Sequence, residues 1–194
     1  AVGGDQLTAL GPDLSRGTPA FVIAGPPRSG RSTALLTMTR SLLSVGTQVI
    51  VAAPRQSPMR SLERAPGVVG FFEGDDIEEA ALREAIDRFE QRGVILVDDA
   101  EMLRSCDAGG VLTSVVRRSV GAEVAVILAG DADDVCGGFS GWQVEAKKAR
   151  QGLLLSPQNL SDADLFGARL QRNQVGQSIQ PGRGLLHLGD GEVH

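Results

Sequence analysis

The run from Ala20 to Val45 constrains the fold most. An apolar segment, "AFVIAG", leads straight into "GPPRSGRST", and Leu35, Met38, Leu42 and Val45 then recur at helical spacing, with Gly46 placed to end the helix. A strand that turns through glycines into a helix N-terminus lets backbone N–H groups converge on a phosphate. The spacing G-x-x-x-x-G-K-[ST] is met from Gly25 to Ser32, except that Arg31 stands in the lysine position. Gly25 and Gly30 allow the tight path. Pro26 and Pro27 have no N–H, so the donors are expected from the later half, Ser29 to Thr33. Ser32 is at the hydroxyl position that would ligate Mg²⁺. Arg28 could add a second guanidinium near the phosphates or point to water. The competing explanation is a Gly/Pro turn that happens to precede a helix.

A second motif favours the phosphate loop. "VILVDDAE" reads as a buried strand ending in carboxylates, and hydrolases with such loops use a strand-end carboxylate to hold Mg²⁺ and a neighbouring one to polarise water. Asp98 fits the first role. Asp99 is the candidate catalytic carboxylate, one methylene shorter than the usual glutamate. The alternative for Asp99, and for Glu101, is capping of the turn that follows.

Around these motifs strand-like and helix-like segments alternate, the pattern of an α/β fold with a mostly parallel sheet. "QVIVAAP" and "GVVGFFEG" read as strands, the first stopped by Pro54. Asp75 and Glu78 resemble a capping box for a helix presenting Leu82, Ala85, Ile86 and Phe89, which Gly93 would close. A helix from about Asp107 to Val120 presents Val111, Leu112, Val115 and Val116, and "EVAVILAG" is another buried strand. Beyond Asp131 the expectation is a helix over Trp142 to Arg150, strands at "GLLLS" and "GLLHL", and a loop from Asn173 to Gly184.

The chain has 194 residues, which suits one domain spanning 1–194, with an abrupt start and stop like those of an excised piece. No apolar run approaches a membrane span, and no secretory signal is visible. Cys106, Cys136, His187 and His194 have no zinc-ligand spacing, and two scattered cysteines suggest a reduced, cytosolic setting. A net charge of -5 offers no general basic surface, so duplex DNA is an unlikely ligand of the isolated domain.

Taken together, the chain resembles a P-loop ATPase module of the FtsK/SpoIIIE class. Within that class it is most similar to the tandem ATPase modules of the EccC-type coupling proteins of type VII secretion. The residues carrying the resemblance are "AVGGDQLTALGPDL", "FVIAGPPRSGRSTALL", "GVILVDDAEML", "EVAVILAG", "GLLLSPQNLSDADLFGARL" and "PGRGLL", in family order over nearly the whole chain. The two nucleotide motifs specify only the P-loop superfamily; the opening and tail supply the narrower match. The resemblance implies a RecA-like fold with helices on both faces of the sheet. It implies ATP held by Gly25 to Thr33 and Mg²⁺ held by Ser32 and Asp98. It also implies a place in the cytoplasmic part of a bacterial inner-membrane protein whose modules assemble with sibling modules in the same chain or ring. The implied cargo is a secreted protein or its C-terminal signal peptide, or, in the DNA-translocating branch, duplex DNA. Arg31, Asp99 and the stretch Ala129, Gly130, Asp131, where the translocating branch has a polar sensor, all depart from the active pattern. Those departures imply slow or regulated hydrolysis, or a module that has lost nucleotide use.

Three further features have two readings each. Arg117 and Arg118 could reach a neighbour's γ-phosphate, or simply form a solvated helix end. Trp142 reads as a core or interface anchor rather than a base-stacking platform. "EAKKAR", from Glu145 to Arg150, reads as an exposed helix face.

Overall fold

The computed structural model describes residues 2–3, 8–9, 11–15, 18–117, 123–137 and 140–189. A short antiparallel pair, β1 (Val2–Gly3) with β2 (Thr8–Ala9), precedes the main sheet. That sheet is built from β3 (Ala20–Ala24), β4 (Gln48–Ala53), β5 (Val68–Glu73), β6 (Gly93–Val97), β7 (Val124–Gly130), β8 (Gln151–Leu155) and β9 (Gly184–Leu188). Its order is β5-β4-β6-β7-β3-β8-β9. Its pairings are parallel apart from the edge pair β8–β9, which is antiparallel. This is the expected mostly parallel α/β sheet.

Both faces of the sheet are covered, which is why its central strands read as continuous apolar runs. Phe21, Ile23, Val49, Val51, Leu96 and Ile127 pack on one face with Leu35 of α1 (Arg31–Ser44). Alternate residues Ala20, Val22, Ile50, Ile95, Val97 and Leu128 face the other side. There they meet α2 (Glu79–Asp87), α3 (Gly109–Arg117) and α5 (Trp142–Lys147). The short α4 (Ala132–Cys136) follows β7. On α3 the expected stripe of Val111, Leu112, Val115 and Val116 is buried, each side chain stabilising the fold by roughly 1.5–3 kcal/mol. Trp142 is fully buried and its indole N–H donates to the Leu103 carbonyl at 2.9 Å, so it is a core anchor.

Several local expectations are corrected. Val45 is not on the packed face: it is the C-cap of α1 and 78% exposed, while Gly46 takes the left-handed conformation (φ 81°) that ends the helix. The Asp75/Glu78 capping box does not form. α2 begins at Glu79, and its N–H donates to the carboxylate of Asp107, 28 residues away, at 2.8 Å. Asp107 is therefore not the start of α3, which begins at Gly109; the 118–120 end of that expected helix lies outside the described residues. Gly93 opens β6 instead of closing α2, and a Cβ there would fall 2.4 Å from the Phe89 ring. The helix expected over Trp142–Arg150 stops at Lys147, with Ala146 fully buried inside the stretch read as an exposed face.

Candidate phosphate-binding site

β3, β7 and β6 are adjacent and parallel, so the segments leaving their C-terminal ends meet along one edge of the sheet. Register does the positioning. Ala24 pairs with Gly130 and Val97 with Leu128, which brings Gly25, Asp131 and Asp98 together.

Gly25 is required by close approach. A Cβ there would lie 2.6 Å from the Leu155 carbonyl oxygen and 2.7 Å from the Ser29 hydroxyl. Gly30 is the N-cap of α1 in a left-handed conformation (φ 99°) that a larger residue would adopt under strain. It gives no side-chain cap, and the first turn of α1 carries no acidic residue. The N–H groups of Arg31, Ser32 and Thr33 therefore lack intrahelical partners at the positive end of the helix dipole. Ser29 does not belong to this donor set, contrary to expectation. Its N–H donates to the Pro26 carbonyl at 3.2 Å, and its own carbonyl accepts from Gly182 N–H at 3.3 Å. The donor cradle starts two residues later, at Arg31. Arg28 has φ 67° and is exposed, as are Pro27 and Thr33, while Pro26 is half-buried.

The second motif is where the sequence places it. The Ser32 hydroxyl donates to Asp98 Oδ1 at 3.0 Å, and Asp98 is only 1% exposed. Burial pushes the Asp98 pKa up, against the hydroxyls of Ser32 and Ser57, which lower it; the neighbouring Asp99 charge raises it further. Asp98 Oδ2 and the Ser29 hydroxyl are both buried without a hydrogen-bond partner. Unpaired buried polar atoms carry a desolvation cost that a ligand can relieve. The donor set, a hydroxyl and an oxygen-bearing carboxylate beside a free helix N-terminus, fits Mg²⁺ with a polyphosphate. Ser32 and Asp98 are the residues that could hold the metal, and the N–H groups of Arg31, Ser32 and Thr33 those that could hold phosphate oxygens.

Arg31 is the part that does not fit the pattern. Its Nη1 donates to the Gly25 carbonyl at 3.0 Å and lies 3.6 Å from Asp131 Oδ2, while Nη2 lies 3.8 Å from Asp99 Oδ1. The side chain is 13% exposed. Asp99 has φ 44° and enters a 3₁₀ turn at Ala100–Leu103, an arrangement that aims its carboxylate at Arg31. Glu101 completes the surroundings. Its Oε2 accepts from Asp131 N–H at 3.4 Å, and burial raises its pKa while the Arg31 charge lowers it. Asp131, at the end of β7, thus lies between Glu101 and Arg31.

Ser57, Glu101, Asp131 and Gly182 are the site neighbours that sequence reasoning missed as such. Glu101 and Asp131 were legible as acids just past strand ends; Ser57 and Gly182 arrive only through the fold. Arg117 lies away from this edge, paired through Nη2 with Glu145 Oε1 at 2.9 Å, and Arg118 lies outside the described residues.

No protein-family model matches the chain, and no curated protein does. Solved structures do match. EssC (ATPases 2 and 3) from Geobacillus thermodenitrificans superposes with a TM-score of 0.68 at 20% identity, over 90% of this chain and 36% of that one. Thermomonospora curvata EccC (ATPases 2 and 3), in complex with a signal sequence peptide, gives 0.70 at 17% identity, over 95% and 37%. The genome packaging NTPase B204 from Sulfolobus turreted icosahedral virus 2, in complex with ATP-gammaS, gives 0.59 at 11% identity, over 90% and 95%. The chain thus spans little more than a third of the secretion-protein structures it matches. Sheet order, strand-end carboxylates and these superpositions lead to one conclusion: the chain has the RecA-like P-loop NTPase fold, the fold of EssC and EccC ATPase domains 2 and 3.

Proposed function

We propose that this chain is a nucleotide-binding module of a type VII secretion coupling ATPase, with slow or regulated hydrolysis, that helps recognise and translocate protein substrates. The observation that carries the nucleotide part is the Ser32–Asp98 contact beside the uncapped N-terminus of α1, with two buried polar atoms left unpaired. ATP would lie with its phosphates on the first turn of α1 and its Mg²⁺ against Ser32 and Asp98. Slow turnover follows from Arg31 and Asp99, which are engaged with each other. The secretion part is supported by the fold shared with EssC and EccC. One of those structures holds a signal sequence peptide, which makes a secreted protein's signal the first partner to test here and sibling ATPase modules the second. Duplex DNA is a poor candidate ligand for a chain of net charge -5. Membership of a bacterial inner-membrane complex is part of the same proposal; among the described residues no helix is long and apolar enough to cross a membrane.

Titration with a fluorescent ATP analogue, with and without Mg²⁺, tests the nucleotide reading. Saturable binding that Mg²⁺ tightens and Ser32→Ala weakens is expected. Absence of binding in the presence of Mg²⁺ would leave a module of the same fold without nucleotide use.

A further inference from the structure

We propose that Asp131 and Asp99 form an electrostatic latch that holds Arg31 off the phosphate cradle, so that a nucleotide must break this latch to bind. The inference rests on the nucleotide-binding reading above and concerns how that same site is regulated. Arg31 is the first residue of α1, so its guanidinium is the cation that the loop pattern would set against the β- and γ-phosphates. Instead it is turned towards the ends of β3 and β7. There it makes one hydrogen bond, to the Gly25 carbonyl, and two ion pairs, to Asp131 and Asp99. Glu101 lies within reach of the Arg31 charge as well, so Arg31 faces three acidic residues, of which Asp99 and Glu101 would otherwise repel each other. A side chain only 13% exposed in such a setting is held more firmly than a surface pair.

Asp131 has a divided role that makes the latch separable from the fold. Its Oδ1 caps α4 by accepting from Asp133 N–H at 3.1 Å, while Oδ2 faces Arg31. Asparagine keeps the cap and removes the charge, so Asp131→Asn is expected to fold and to free Arg31. The guanidinium could then turn to the phosphates, where it is a strong partner for a polyanion.

The test is a double-mutant cycle on affinity for Mg-ATP, read with the fluorescent analogue on the parent, Asp131→Asn, Arg31→Met and the double variant. Asp131→Asn is expected to tighten binding about threefold to tenfold, the range for losing one or two partly buried ion pairs. The gain should vanish in the Arg31→Met background. Asp99→Asn should behave the same way. An equal gain with and without Arg31 would mean that simple charge removal is at work, and would overturn the latch. No gain in either background would overturn it too. If no variant binds, Arg31→Lys included, the nucleotide reading fails and takes the latch with it, an outcome distinct from loss of coupling. A readout without ligand covers the resting state: the Arg31 guanidinium N–H resonances should shift in Asp131→Asn, and unchanged resonances would show that the pair is not formed.

Discussion

Asp98→Asn should make the nucleotide-free protein more stable at neutral pH while abolishing its response to Mg²⁺. Asp98 is 1% exposed, and its Oδ2 has no hydrogen-bond partner. Its pKa is raised from 3.8, mainly by burial. A carboxyl whose folded pKa lies above its unfolded value binds its proton more tightly when folded. Its contribution is therefore neutral below about pH 3.8, where both states are protonated, turns unfavourable as pH rises above that, and is fully unfavourable above the folded value. Asparagine has nearly the same shape and keeps an oxygen to accept from Ser32. Relieving one buried, unpaired oxygen gives an expected gain of about 1–2 kcal/mol at pH 7, shrinking as pH falls to the carboxylate range. For a domain of this size that is roughly a 2–8 °C rise in Tm. Urea unfolding in EDTA at pH 7 and again near pH 4 measures it. In the parent, Mg²⁺ with ATP should raise Tm by mass action, and in Asp98→Asn it should not. If the variant is less stable than the parent at pH 7, Asp98 has a favourable partner in the free protein. The site would then not be one that holds a costly charge for a ligand.

Gly25→Ala should destabilise the domain by more than about 1 kcal/mol, since its Cβ would collide with the Leu155 carbonyl and the Ser29 hydroxyl; a melting curve unchanged from the parent would refute the close approach. Trp142→Ala should cost about 3–5 kcal/mol, through the cavity and the lost bond to Leu103, and chemical denaturation would read it. Glu145, held down to about 2 by Arg117 and Lys148, should contribute a small, salt-sensitive stabilisation present above about pH 4.5 and lost as pH falls towards 2. Glu145→Gln should erase that slope and cost less than about 1 kcal/mol at pH 7. Arg31→Lys should leave Tm nearly unchanged and tighten Mg-ATP binding by about 1 kcal/mol, because the compact ammonium can reach phosphate without the fork that binds Gly25 and the acids. Weaker binding in calorimetry would mean that the loop is built around arginine.

The sequence by itself determined the elements whose evidence is local. The apolar runs "AFVIAG", "VILV" and "VAVILAG" could only be buried strands, and the glycines of "GPPRSG" with the helix behind them set the cradle at α1. Ser32 and Asp98 were legible because strand–loop–helix and strand–carboxylate are short-range patterns. Tertiary structure decided everything that depends on which strand lies next to which. The α2 cap comes from Asp107 rather than the nearby Asp75, because the fold sets the loop before α3 against the start of α2. Ser29 lost its donor role through a local turn to Pro26, a matter of dihedrals that the motif does not encode. The direction taken by Arg31 was the least readable of all. It depends on Ala24 pairing with Gly130, which puts Asp131 beside Gly25 although they are far apart in the chain. A charged side chain chooses its partner by through-space distance and desolvation, and a linear sequence carries neither until the sheet is assembled.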